Sequence, residues 1–144
     1  MKLSTRCRYG IQAMFDLAQN AGKGPQTLRE IAERQDISEE YLEQIAGVLR
    51  RAGFVTSVRG AQGGYRLARS ASDITLGELI RTLEGPIFFA DCIARSDACS
   101  RSGNCPSRML WERLEKSVNE VVDGITLQNM VDDYARAQTG RRQE

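Results

Sequence analysis

The feature that most constrains the fold is a short polar stretch that contains three of the four cysteines. Cys92, Cys99 and Cys105 lie in this stretch with almost no apolar neighbours, so burial as small hydrophobic residues explains one thiol and hardly three. Three soft ligands in one loop favour a metal ion or an iron–sulfur cluster. The loop also divides the chain into a front part and a rear part whose apolar patterns differ.

The front part carries the pattern of three short helices. Apolar residues recur at helical spacing over residues 5–21 and predict the first helix. Thr27 begins a capping box and a second short helix, which is expected to end near Arg34. Ser38 is a favourable N-cap for a third helix. Two short helices joined by a tight turn predict a helix-turn-helix, whose second helix can enter the major groove of DNA.

Two strand-like runs follow, over residues 54–58 and 65–68, with a Gly-rich segment between them. A β-hairpin directly after a recognition helix is a wing. Arg59 at its tip is suited to the minor groove, where negative potential attracts arginine, and the alternative is a solvated turn arginine. A nucleotide-binding loop is disfavoured because the segment leads into a strand and not into a helix N-terminus. A second capping box at Thr75 predicts a fourth helix over residues 76–83.

The rear part has the pattern of one long amphipathic helix. Pro106 is a natural helix start, and an apolar stripe with spacings of three and four extends over residues 110–125. The stripe is longer than a small winged domain needs to cover itself, which favours packing on a second copy. Thr126 is expected to cap a last short helix that ends near Ala135.

Composition and charge limit the class of protein. No apolar run approaches the roughly 20 residues of a membrane-spanning helix, and the first residues lack a secretory signal, so a soluble cytoplasmic protein with reduced thiols is expected. Residues 1–69 contain eleven Lys and Arg against seven Asp and Glu, whereas residues 70–144 contain nine against twelve. Only the front part is therefore suited to phosphates. An enzyme is disfavoured, because the chain has no histidine and no cysteine with an evident triad.

Taken together, these motifs resemble those of the IscR-type winged-helix transcription regulators. The resemblance covers about residues 1–135. It is carried by Met1-Lys2-Leu3-Ser4-Thr5 with Arg8-Tyr9-Gly10, Tyr41-Leu42-Glu43-Gln44, Val58-Arg59-Gly60 with Gly63-Gly64-Tyr65, Leu83-Glu84-Gly85-Pro86, the three loop cysteines and Ile125-Thr126-Leu127. It implies a mainly α fold with a small β-hairpin wing, in which a long C-terminal helix forms the dimer.

The resemblance suggests four segments along the chain. A winged helix-turn-helix DNA-binding domain is expected over residues 1–85, followed by a cluster-binding cysteine loop over residues 86–106. The dimerisation helix and a short terminal helix are expected over residues 107–136, before a tail over residues 137–144.

For DNA reading, the resemblance implies that four side chains of the third helix face the major groove. These are Ser38, Tyr41, Glu43 and Gln44. It also implies that Arg59 enters the minor groove. The chemistry agrees in kind, because glutamine can pair with adenine and glutamate can accept from the amino group of cytosine.

For the loop, the resemblance implies that Cys92, Cys99 and Cys105 hold an iron–sulfur cluster, with [2Fe–2S] favoured over [4Fe–4S]. The fourth ligand departs from the family pattern. Some relatives have a histidine where this chain has Arg108, and others use a residue of the partner's first helix where this chain has Arg8. Arginine cannot serve, because it stays protonated and offers no acceptor.

The remaining candidates for the fourth ligand include one cysteine outside the loop. Cys7 is slightly favoured, with simple packing in the first helix as the equal alternative. The other candidates are Asp91, Asp97, Ser107, solvent and a small thiol. A weak or exchangeable ligand at this position would make the cluster labile toward oxygen, nitric oxide or iron shortage.

The expected function is that of a homodimeric transcription regulator that binds double-stranded DNA under control of the cluster. Its targets are expected among genes of cluster assembly or related iron and redox genes. Two other interpretations stay open. The loop could hold zinc and staple a DNA-binding adaptor, since three cysteines and one further ligand suit zinc as well. It could also be a metal-free redox sensor that acts through its thiols.

Overall fold

The structure, a computed structural model, describes residues 2–95, 97–101 and 103–143. Within them the chain forms seven α-helices and one β-hairpin. The elements are α1 (Thr5–Gln19), α2 (Leu28–Gln35), α3 (Glu39–Arg51), β1 (Val55–Val58), β2 (Gly64–Leu67), a 3-10 turn (Ala71–Asp73), α4 (Leu76–Leu83), α5 (Asp91–Ala94), α6 (Pro106–Asp123) and α7 (Leu127–Arg142). The mainly α fold with a hairpin wing is confirmed.

The helix starts follow the capping signals of the sequence. In α2 the Thr27 hydroxyl accepts from the Glu30 backbone N–H at 3.1 Å, and the Glu30 carboxylate accepts from the Thr27 N–H at 2.8 Å. Capping boxes of the same kind begin α4 at Thr75 and α7 at Thr126. Each box satisfies backbone donors that the first turn of a helix leaves unpaired, so these starts are determined locally.

Two elements differ from the predicted pattern. Helix α7 does not end near Ala135 but continues to Arg142, because no proline interrupts it and Arg141 and Arg142 suit the negative end of its dipole. Helix α5 was not predicted, since four residues are too few to show a helical period.

The core lies among α1 to α4, the base of the wing and the start of α7. Helix α1 is central, because it packs against α2, α3, α4 and α7. The largest fully buried apolar side chains are Met14, Ile31, Leu42, Ile45, Ile74, Leu79 and Leu127. The core is therefore formed mainly by the chain before the cysteine loop, and α7 adds Leu127 to it.

The hairpin pairs β1 with β2 in antiparallel register, with Val55 opposite Leu67 and Ser57 opposite Tyr65. A further bridge joins Tyr65 to Gln26, which precedes α2, through two backbone hydrogen bonds of 2.8 and 2.7 Å. The wing is therefore attached at its base to the helix-turn-helix as well as to its own partner strand.

Helix α6 contrasts with the rest because none of its residues is fully buried. Val118 and Val122 pack against the core on one side. Leu110, Leu114 and Val121 continue the same apolar stripe but are 49%, 37% and 59% exposed. Among the helices that the structure describes, α6 included, none is long and apolar enough to cross a membrane.

Candidate nucleic-acid interface and metal centre

Helix α3 has a buried face and an exposed face. The buried face consists of four apolar residues, Leu42, Ile45, Ala46 and Leu49. Glu43 and Gln44 lie on the other side of the helix and are exposed. Because both side chains point away from the core, they are available to base edges in a major groove.

Ser38 and Tyr41, which were also predicted to face DNA, have structural contacts of their own. The Ser38 hydroxyl accepts a hydrogen bond from the Tyr41 backbone N–H at 3.2 Å and caps α3. The Tyr41 ring meets the Tyr9 ring edge to face, with centroids 5.8 Å apart. Both residues therefore fix the N-terminal end of α3, from which Glu43 and Gln44 project.

Two arginines that the sequence pattern did not identify border this face. Arg6 of α1 and Arg51 at the end of α3 line a shallow groove together with Tyr41, Glu43 and Gln44. Both arginines are exposed and carry the positive charge that phosphate contacts require. The arginine-rich start of the chain was a signal for Arg6, but only the packing of α1 against α3 places it beside the recognition helix.

The wing presents Arg59 at its tip, where the side chain is exposed. The turn beside it is tight, because a Cβ on Gly63 would lie 2.2 Å from the carbonyl oxygen of Val58. Only glycine fits such an approach. The structure therefore places Arg59 on a short closed turn, as the wing pattern predicts.

The cysteine loop between α4 and α6 is mostly exposed in its described residues. Cys92 lies in α5 and is partly exposed, Cys99 is exposed, and Cys105 occupies the N-cap of α6. Asp97, a candidate ligand, is exposed and forms an ion pair with Arg95 at 3.5 Å. In residues 2–95, 97–101 and 103–143, no group of three cysteine or acidic side chains forms a cluster that could hold a metal ion.

Cys105 lies where a thiolate is favoured. The backbone N–H groups of Arg108 and Ser107 at the start of α6 hold the pKa of the Cys105 thiol below its ordinary value. The Ser107 hydroxyl and the charge of Arg101 contribute further in the same direction, against a partial opposing effect of burial. A helix N-terminus stabilises a thiolate through its free N–H donors and its dipole, and the thiolate is the form that binds metals.

Arg108 lies within electrostatic range of two of the three loop cysteines. Its hydrogen bond to Glu112, 2.8 Å long, is the main cause that raises the pKa of Arg108, and the charges of Cys92 and Cys105 also raise it. The guanidinium therefore lies near both thiols.

Cys7 lies in the core and has no exposed surface. Burial, and to a lesser extent the carboxylate of Glu84, raise the pKa of its thiol. A buried thiol that resists ionisation is a poor metal ligand. The structure therefore favours the packing alternative for Cys7 over the slightly favoured assignment as fourth ligand.

The donor set of the loop fits an iron–sulfur cluster chemically. It offers three soft sulfur ligands on one exposed segment, and the α6 N-terminus favours the thiolate form of one of them. Because the three loop cysteines do not form one cluster among the described residues, holding a common iron–sulfur cluster requires a rearrangement of the loop around α5.

Comparison with protein families and curated relatives identifies regulators of transcription. A family model described as "Rrf2: Iron-dependent Transcriptional regulator" matches residues 3–133. The HTH-type transcriptional regulator CymR of Bacillus subtilis (strain 168) is 42% identical over 130 residues, which are 90% of this chain and 89% of CymR. The HTH-type transcriptional regulator IscR of Vibrio atlanticus (strain LGP32) is 39% identical over 144 residues, which are 100% of this chain and 83% of that IscR.

Comparison with solved structures also finds IscR and CymR proteins. T. potens IscR superposes with a TM-score of 0.79 at 50% sequence identity, over 96% of this chain and 91% of that chain. The structure of CymR, described as the global cysteine regulator of B. subtilis, superposes with a TM-score of 0.80 at 41% identity, over 92% of this chain and 97% of that chain. The chain is thus similar to regulators of both kinds.

Proposed function

Because the chain belongs to the Rrf2 family of transcriptional regulators, we propose that it binds double-stranded DNA as a homodimer and that an iron–sulfur cluster on its cysteine loop controls this binding. Family membership makes the chain a transcriptional regulator and not an enzyme. The observation that carries the proposal is the position of the loop, which separates α4 of the DNA-binding part from α6.

The exposed residues of α3 and of the wing form the proposed DNA interface. Glu43 and Gln44 read base edges in the major groove, and Arg59 enters the minor groove. Ser38 and Tyr41 hold the start of α3 in place and add contacts at its rim. Arg6 and Arg51, which line one groove beside α3, supply phosphate contacts.

The outward face of α6 supports a homodimer. Leu110, Leu114 and Val121 are exposed to between 37% and 59%. An apolar stripe of this length on a helix that buries no residue fully in its own protomer needs a partner surface. A second copy supplies it through a two-fold interface, and a dimer presents two α3 helices to two half-sites of one operator.

Cys92, Cys99 and Cys105 are the residues that would hold the cluster, with [2Fe–2S] favoured over [4Fe–4S]. Bound there, it would supply iron to the three thiolates and a redox state that changes with oxidants. The fourth position is left to Asp91, Asp97, Ser107, solvent or a small thiol. The proposal places the protein in the cytoplasm, where thiols stay reduced.

The loop is well placed to control the angle between α6 and the DNA-binding part. Arg81 of α4 donates to Asn119 of α6 at 2.9 Å and pairs with Asp123, so α4 and α6 are joined near the C-terminal end of α6. The N-terminal end of α6 begins at Cys105. Ligation of Cys105 together with Cys92 and Cys99 would fix the position of that end, and with it the spacing of the two α3 helices.

A second candidate function is a metal-free thiol regulator. Two observations favour it, namely the similarity to a cysteine regulator and the lowered pKa of Cys105. In this case Cys105 acts as the reactive thiolate, and oxidation of the loop takes the place of cluster ligation.

The deciding experiment is the visible absorption spectrum and the iron, sulfide and zinc content of protein purified without oxygen, repeated after exposure to air. We expect a coloured protein whose iron and sulfide are lost in the triple variant Cys92→Ser/Cys99→Ser/Cys105→Ser. A colourless protein with one zinc per chain would make the loop structural. A colourless, metal-free protein that cannot be reconstituted but changes its DNA affinity on thiol oxidation would establish the second candidate.

DNA binding is tested separately, by selection of duplexes from a random-sequence pool with the wild-type protein. The expected product is a sequence with two related half-sites about one helical turn apart. Failure to enrich any sequence with either metal-loaded or metal-free protein would contradict the proposed interface.

A further inference from the structure

Two polar residues are buried in the part of the chain that the structure describes, and both belong to one network. They are Asp16 of α1, which is 1% exposed, and Gln26 before α2, which is 8% exposed. Buried polar groups cost free energy unless they are paired, so a shared network in an otherwise apolar core calls for an explanation.

Asp16 is held by donors from α2. Arg34 donates from Nε to Oδ2 at 2.9 Å and from Nη2 to Oδ1 at 2.7 Å, which is a two-bonded fork on one carboxylate. Gln35 donates a further hydrogen bond to Oδ2 at 3.1 Å. Arg34 and Gln35 form the last turn of α2, immediately before the turn that leads into α3. The contact thus fixes the turn of the helix-turn-helix against α1.

The same guanidinium reaches the base of the wing. Arg34 Nη2 also donates to the side-chain oxygen of Gln26 at 2.9 Å. The Gln26 backbone exchanges two hydrogen bonds with Tyr65 in β2. The approach is close, because a Cβ on Gly64 would lie 2.4 Å from the Gln26 carbonyl oxygen. One arginine therefore connects the segment before α3 with the strand that carries the wing.

We propose that Asp16, Arg34 and Gln26 are positioning residues for DNA binding, which hold the wing at a fixed offset from the recognition helix. The inference rests on the proposed contacts of α3 and Arg59 with one DNA site. None of the three residues needs to touch DNA. Because they hold the wing in place, Arg59 reaches the minor groove without a further free-energy cost of ordering the wing once α3 is docked in the major groove.

The physical reason is effective concentration. When two contacts are rigidly connected, the second forms as an intramolecular event and contributes fully to affinity. When the connection loosens, the second contact must first order the wing, and part of its contribution is lost. A bidentate salt bridge to a buried carboxylate is suited to holding the wing rigidly, because its planar geometry leaves little freedom of orientation.

The test is a double-mutant cycle between Arg34→Lys and Arg59→Ala, measured as affinity for a duplex selected by the wild-type protein. Arg34→Lys keeps the charge but cannot form the fork and bond Gln26 together. We expect Arg59→Ala to weaken binding about tenfold in the wild-type protein and less than about twofold in Arg34→Lys. Arg29→Lys is the matched control, since Arg29 lies on the same helix in an exposed pair with Glu33 and should leave the tenfold effect unchanged.

The outcomes separate the inference from the function on which it rests. If Arg59→Ala weakens binding equally in both backgrounds, the network only stabilises the fold, and the positioning role is wrong. If Arg59→Ala has no effect in the wild-type protein, the proposed wing contact itself fails, and the inference fails with it. Should Arg34→Lys not fold, the cycle is repeated with Gln26→Met, which removes the acceptor for Arg34 and leaves the backbone bonds to Tyr65 in place.

Discussion

The DNA-binding part, residues 1–85, and the cysteine loop, residues 86–106, are built in opposite ways. The former has capped helices around buried side chains such as Met14 and Leu79. Among its described residues the latter contains one four-residue helix, and Cys99 is exposed. The difference indicates that buried apolar contacts order the DNA-binding part, whereas in the proposed function a ligand or an oxidant orders the loop.

The largest expected effect tests whether the core of the DNA-binding part is stable without support from the cysteine loop. Leu79→Ala removes a side chain that is 0% exposed in the centre of the core, and we expect it to lower the free energy of unfolding by about 2–5 kcal/mol. Cys99→Ala, in the loop, should change it by less than about 0.5 kcal/mol in metal-free protein. Urea unfolding of both variants gives the comparison, and a large loss in Cys99→Ala would show that the loop supports the core.

The next prediction distinguishes the buried Cys7 from the cysteines of the loop. Cys7→Ser puts a hydroxyl into an apolar site and should cost about 1–3 kcal/mol of stability. The iron and sulfide content per folded chain should stay unchanged, because Cys7 is fully buried. Thermal unfolding and metal analysis on one preparation check both statements. A changed spectrum or an altered lifetime in air would restore Cys7 as the fourth ligand.

A third prediction concerns the exposed face of α3. Glu43→Ala should reduce discrimination at one base pair by about 1–3 kcal/mol, while binding to unrelated DNA stays the same or strengthens slightly. The reason is that a glutamate is repelled by phosphates and gains only from a specific base. Glu40→Ala, an exposed glutamate of the same helix, is the control. Equal weakening on all sequences would argue against base reading by Glu43.

The smallest effect is the pH dependence of a cap in the DNA-binding part. The backbone N–H of Thr75, assisted by Arg69, holds the pKa of Glu78 below its ordinary value of 4.5, against a smaller effect of burial. This contribution to stability is present above pH 4.5 and is lost as the pH falls through the lowered pKa of the folded state.

Glu78→Gln should therefore be less stable than the wild type at neutral pH, with the difference closing in acid. The difference should stay below about 1 kcal/mol, because the carboxylate is 39% exposed and screened by solvent. Thermal unfolding measured from about pH 3 to about pH 7, a range that covers this titration, shows whether the stability curves of the variant and the wild type converge. Parallel curves would contradict the assignment.

The starts of α2, α4 and α7 could be predicted because each depends on a capping box within four residues. The wing could also be predicted from nearby residues, since its strands and turn follow one another in the chain. The same applies to the exposure of Glu43 and Gln44, which follows from the helical period of α3.

What escaped prediction depends on residues that are distant in the chain. Asp16 looks like an ordinary exposed aspartate in the sequence, and its burial follows only from Arg34, which lies eighteen positions away. Cys7 is buried for the same kind of reason, as α1 packs against several other helices. The closeness of Arg108 to Cys92 likewise requires α5 to pack on α6, and no periodicity encodes that contact.

The uncovered stripe of α6 has a consequence for dosage. In the proposed homodimer, the surface formed by Leu110, Leu114 and Val121 is covered only when two chains meet, so assembly depends on the amount of protein present. Well below the dissociation constant of the dimer, the number of assembled pairs rises with the square of the chain concentration. Halving synthesis of the protein would then leave about a quarter of the operator-competent form, which gives the promoter a threshold set by abundance in addition to any signal read by the cysteines.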